Sequence, residues 1–120
     1  MKYMLLIYGD ETAWADVPPE QQEQLGAEQY KKYLEYSQWL TDKGWFVGGD
    51  ALQGSDHATT VRTREGKTTT TDGPFAETKE QLGGYYLVEC ENLDQAIEAA
   101  ARCPGAATGS MEVRPLMDVM

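Results

Sequence analysis

Residues 83–105 read "GGYYLVECENLDQAIEAAARCPG". Two periodicities meet in this stretch. "GGYYLVECE" is rich in the aromatic and β-branched residues that suit a pleated, half-buried surface, and it predicts a strand. "NLDQAIEAAARCPG" then changes to helical spacing. Asn92 is a candidate N-cap with Gln95 three residues on, close to a capping box. Leu93, Ala96, Ile97, Ala100 and Ala101 form the expected buried stripe, and Pro104-Gly105 is expected to stop the helix. "GSMEVRPL" follows, in which Met111, Val113 and Pro115 alternate with Glu112 and Arg114 as in a strand. The second half of the chain is therefore β-α-β.

Working back, the same order appears in the first half. "KYMLLIY" at 2–8 is an apolar run and predicts a central strand buried on both faces. "GDETAWADVPP" breaks the pattern, and "EQQEQLGAEQYKKYLEYSQWLTDKG" predicts a long helix. Early acids (Glu20, Glu23), Lys43 near the end and Gly44 as C-terminal cap fit the helix dipole and its termination. Leu25, Gln29, Tyr33, Ser37 and Leu40 recur at helical spacing, widened by Tyr30, Leu34 and Trp39. Aromatics at 30, 33, 36 and 39 exceed one narrow core face, so some are expected at a rim, facing a pocket or a second subunit. "WFVGGDALQ" predicts a short strand, and "ATTVRTREGKTTTTDG" a hairpin turning at Glu65-Gly66. The sum is a single α+β domain over 1–120: ferredoxin-like βαββαβ with an additional hairpin, two helices on one face of an antiparallel sheet.

Composition narrows the function. The net charge is -10, with ten acids in residues 1–57 and ten in the remainder. Nucleic-acid binding needs a basic face, so neither nucleic acid nor an anionic membrane is an expected partner. No apolar run approaches the ~20 residues of a membrane helix. Cys90 and Cys103 lack metal-ligand or disulfide spacing and predict buried free thiols in a reducing cytoplasm. There is no nucleophile elbow and no Gly-rich phosphate loop, and one histidine cannot build a typical zinc site, so no metal or cofactor is expected.

The candidate chemistry centres on "DGPFAETKEQLGGYY" at 72–86. Asp72, at a strand end before Gly-Pro, could act as a general base, although Asp-Gly-Pro is also what a turn requires. His57 is the second acid–base candidate, with Asp10 and Glu11 as residues that could meet it in space. Glu77 and Lys79 could line a pocket or simply be solvated. Arg62 could hold a substrate carboxylate by a bidentate contact, or pair across strands. Gly83-Gly84 permits a bulge or a close backbone approach.

"KYMLLIYGDE", "FVGGDALQ", "ATTVR", "DGPFAETKEQLGGYYLVE", "AARCP" and "GSMEVRPL" together resemble the DGPF-domain proteins of the YCII-related family. The resemblance implies a ferredoxin-like fold assembled as a dimeric α/β barrel, and it marks Phe75 as part of the signature loop and a ligand-binding candidate. It also implies a regulatory setting, since such proteins are often encoded beside extracytoplasmic-function sigma factors. The wider family carries a His–Asp pair. Its histidine position falls near Tyr33 and its Asp-Pro position at Cys103-Pro104, so neither member stands at its place here; Tyr33 becomes a ligand-binding candidate. The expected function is a cytoplasmic homodimer acting as a non-catalytic ligand-binding or regulatory module, whose partner would be a small molecule or a sigma factor. The alternative is an acid–base enzyme acting on a carboxylate-bearing metabolite.

Overall fold

Lys2–Gly9 form β1, Pro19–Lys43 α1, Phe46–Ala51 β2, Thr59–Arg64 β3, Lys67–Asp72 β4, Gln81–Glu89 β5, Leu93–Arg102 α2, Gly105–Thr108 α3 and Ser110–Pro115 β6, with a 3-10 turn at Ser55–His57. The computed structural model describes residues 1–118. Four strands make one sheet in the order β2-β5-β1-β6, every neighbour antiparallel. With α1 and α2 as crossovers this is the ferredoxin-like α+β arrangement. β3 and β4 pair only with each other, as a separate two-stranded sheet.

Local chemistry places the element ends. Gly44 adopts φ 76°, and its N–H reaches the carbonyls of Leu40 and Thr41, closing α1. The Asn92 side chain accepts from the Gln95 amide at 3.0 Å, while Gln95 accepts from the Glu91 amide at 2.8 Å. Glu65 (φ 52°) and Gly66 (φ 78°) form the β3–β4 turn, whose two positive φ values match the twist of a hairpin. In β5, Ile7 pairs with Gly84 and Tyr8 with Leu82, which leaves Gly83 as the bulged residue.

Three features differ from the sequence reading. First, Pro104 ends α2 and also opens α3, giving three helices. Cys103 is extended at ψ 133° because a residue before proline is held out of the helical region, and Pro104 itself is helical. Second, the buried stripe of α2 is Ala96, Ala99 and Ala100, continued by Cys103, whereas Leu93 and Ile97 are about half exposed. Small residues let the helix sit close to the sheet, and its larger apolar side chains flank the contact. Third, β1 is covered on one face only. Tyr3 and Leu5 are buried under the helices, but Met4, Leu6 and Tyr8 on the opposite face are only partly buried.

The core is the layer between helices and sheet: Leu5, Leu40, Val88, Ala96 and Ala99 are fully excluded from solvent. Burying each of the larger aliphatic side chains contributes about 1.5–3 kcal/mol. Tyr36 joins this layer, its ring edge-on to Tyr86 at 5.1 Å. Helices on one side alone make a slab, 47 × 46 × 19 Å.

Candidate functional site

The helix-facing side of the sheet is hollow at one end. Ile7 of β1 pairs with Gly84 of β5, Gly84 with Ala51 of β2, and Tyr86 with Gly49. A Cβ on Gly49 would lie 2.7 Å from the Tyr85 carbonyl oxygen, and one on Gly84 3.0 Å from that of Asp50. Glycine is what permits these backbones to approach, and no side chain rises from either position into the cleft. The result is a cleft of about 560 Å³ between the sheet and α1. Tyr30, Tyr33, Leu34 and Ser37 of α1 wall one side, Phe46 and Tyr86 the other, and Asp10, Glu11 and Gln81 stand at the strand ends. Size and apolar walls suit a small organic ligand.

The polar groups of the cleft are largely engaged. The hydroxyls of Ser37 and Tyr86 share a 2.9 Å hydrogen bond. Tyr33 lies beside Cys103 and the backbone of Gly105; burial raises the Tyr33 phenol above its ordinary range, and the neighbouring thiol adds to the effect. Burial likewise raises the Cys103 thiol and the Tyr86 phenol. All three are therefore held neutral.

At the rim, the Asp10 carboxylate accepts from the Thr12 hydroxyl at 2.6 Å and the Thr12 amide at 2.9 Å. These hydrogen bonds, with the charge of Lys79 adding a smaller effect, lower its pKa. Glu11 accepts from the Ser55 amide at 2.7 Å and the Ser55 hydroxyl at 2.6 Å. Its own amide donates to the Gln81 side chain at 3.1 Å, and Gln81 donates to the Thr78 carbonyl. The Asp50 carboxylate accepts from the Tyr85 hydroxyl at 2.8 Å.

Of the residues singled out in the sequence, Asp10, Glu11 and Tyr33 line this cleft, and Lys79 is near enough to act on Asp10. The others stand elsewhere. Asp72 is exposed at the end of β4, opposite Thr59. After it, Gly73 (φ 93°) donates to the Ala58 carbonyl at 2.7 Å, so the Asp-Gly-Pro stretch closes the base of the hairpin. His57 is exposed in the 3-10 turn, its Nε2 3.9 Å from Asp56. Glu11 does reach that turn, but it holds Ser55. Arg62 is exposed on β3, Phe75 is 80% exposed, and Glu77 is exposed in the loop before β5. Sequence reasoning did not assign Ser37, Phe46, Gly49, Gly84 or Tyr86 to a site. The signal available was the pair of Gly-Gly strands combined with one aromatic face of α1.

Residues 1–120 match the YCII-related domain over their whole length. The chain belongs to the YCII-related family. It is 42% identical over 123 residues to an uncharacterized protein of Rhizobium meliloti (strain 1021), covering 97% of this chain and 92% of that relative. In this YCII-related chain, the Tyr33 phenol and the Cys103 thiol lie side by side. Tyr33 lines the cleft, Cys103 lies behind it, and both hold their protons. Among the described residues there is no group of three or more His, Cys, Asp or Glu placed to hold a metal ion, and no helix is long and apolar enough to cross a membrane.

Proposed function

We propose that this YCII-related chain is a homodimeric, non-catalytic module that binds a small molecule with an apolar or aromatic body in the cleft between α1 and the sheet. The observation that carries this reading is the state of the cleft's ionisable groups. Tyr33 and Tyr86 are pushed toward their neutral forms by burial. Asp10, Glu11 and Asp50 each already accept hydrogen bonds from their own chain. A general acid or base needs a side chain free to exchange a proton near the working pH. The groups here favour holding a ligand over transforming it.

The alternative, acid–base chemistry on a carboxylate-bearing metabolite, draws less support. No lysine, arginine or histidine is among the residues lining the cleft, and Arg62, His57 and Asp72 lie outside it. Within one protomer, a carboxylate entering there would meet Asp10 and Glu11 without a bidentate cation to hold it.

The dimer is supported by the uncovered sheet face. Met4 and Leu87 are directly opposed across β1 and β5, with Leu6 on the same side, and among the described residues they are left only partly buried. A second copy would cover that face isologously. The two buried free thiols agree with a reducing cytoplasm. A regulatory role beside an extracytoplasmic-function sigma factor is the setting in which a ligand-holding module of this kind would act.

The test is native mass spectrometry after incubation with a small-molecule extract, comparing the wild type with Ala51→Trp. Ala51 is an exposed edge-strand residue at the cleft, so the indole fills the site while leaving the core untouched. A mass retained by the wild type and absent from the variant is expected. Equal retention by both would place binding elsewhere and reject the cleft.

A further inference from the structure

The β3–β4 hairpin is folded yet almost wholly exposed. Every residue of β4 is exposed, and so is every residue of β3 except the half-buried Thr60; Val61 is 60% exposed. A lone two-stranded hairpin is at best marginally stable in water, because neither face is buried and both edges are unpaired. This one is held by its own ladder, a 2.9 Å contact between the Thr63 and Thr68 hydroxyls, and the closure of its base at Ala58 and Gly73. Six residues per strand give an arm of roughly 20 Å. Its projection contributes to a radius of gyration of 16.5 Å, against about 14 Å for a compact chain of this length.

The arm also differs in charge from the rest of the molecule. It carries Arg62, Arg64 and Lys67 against Glu65 and, at its base, Asp72, so it is weakly basic in a chain whose net charge is -10. The complementary surface lies in residues 10–29. Asp10, Glu11, Asp16, Glu20, Glu23 and Glu28 are there, with no lysine, arginine or histidine among them. Neither strand of the arm packs extensively on α1 of its own chain.

We infer that the β3–β4 hairpin is an exchanged arm. It reaches across to a second copy of this chain and lays Arg62, Arg64 and Lys67 against the acidic segment at 10–29. The inference rests on the homodimer proposed above and adds a second contact to it, separate from the apolar sheet face. In a two-fold dimer the contact is made twice, so each copy both gives and receives an arm. Threonine-rich strands suit this role: they are stiff, β-favouring and too polar to aggregate when the arm is free.

Sedimentation velocity across a concentration series tests it with two variants. In the first, residues 59–72 are replaced by Asn-Gly, joining Ala58 to Gly73, which are already hydrogen-bonded at 2.7 Å. In the second, Arg62→Glu, Arg64→Glu and Lys67→Glu reverse the arm's charge at exposed positions, leaving the fold intact even if the deletion does not. Both are expected to raise the dimer dissociation constant at least tenfold. Raising salt from 0.05 to 0.5 M should weaken the wild-type dimer but not the charge-reversed one. Variants that dimerise as tightly as the wild type would overturn the arm exchange while leaving the dimer standing, and would free the arm for a different protein. A wild type that stays monomeric at tens of micromolar would overturn the dimer and the exchange together.

Discussion

The buried hydroxyl of Tyr36 on α1 donates a 2.6 Å hydrogen bond to the carbonyl of Ala99 on α2. That carbonyl is one of the acceptors a helix end leaves without an intrahelical partner. The amide that would serve it, Cys103, turns instead to Ala100 at 3.1 Å. Tyr36 therefore supplies a missing donor and ties the two crossover helices at the point where α2 stops. Tyr36→Phe keeps the ring packing but orphans the carbonyl, so a loss of about 1–3 kcal/mol is expected. Urea unfolding at unchanged m-value would report it. A variant as stable as the wild type would show that Ala99 has another partner.

The uncovered sheet face makes a separate prediction. Leu6 lies on β1 away from the helices and contributes little to the monomer's own core. Leu6→Glu should convert a dimer to a monomer with its secondary structure intact, because two copies of a buried carboxylate would face each other across the two-fold axis. Sedimentation equilibrium and circular dichroism together check this; a dimer that survives the substitution would move the interface to another surface.

The alkaline limb of stability should be steep. Burial raises the phenols of Tyr33 and Tyr36 and the thiol of Cys103. In the unfolded chain these groups ionise near about 10 and about 8.5. Above those values the unfolded state releases protons that the folded state keeps. The stabilisation is therefore whole below about pH 8.5 and is lost as the pH rises beyond it. Absorbance at 295 nm, followed through an alkaline titration, should show Tyr33 and Tyr36 ionising only together with unfolding. Their ionisation in the intact fold would show that water reaches them.

The readable parts of this sequence were those decided locally. The Asn92 cap, the Gly44 stop, the Glu65-Gly66 turn and the Gly83 bulge each follow from one or two residues with restricted chemistry, and with them came the βαββαβ order and the extra hairpin. The helix after Pro104 was hidden because Pro-Gly reads as a stop, although proline is equally at home at the start of a helix. On α2, hydropathy pointed inward at Leu93 and Ile97, but tight helix–sheet packing preferred Ala99 and Cys103.

The cleft was harder to see because it is built from absent side chains. Gly49 and Gly84 are thirty-five positions apart in sequence, and they become one floor only when β2 pairs with β5. Asp10 and Tyr33, candidates on other grounds, both line it. Asp72 is an acid before Gly-Pro, and its place at the hairpin base is the structural role that such a tripeptide commonly serves.

The central claim is that this YCII-related chain holds a small molecule without converting it. The most direct measurement is to incubate whatever compound the cleft retains, in hundredfold excess, with the protein, and to follow bound and free compound by mass spectrometry over hours. The account predicts saturation at one equivalent per protomer, with all of the compound recovered unchanged. Product accumulating beyond the protein concentration, and lost in Ala51→Trp, would contradict it and make the cleft an active site.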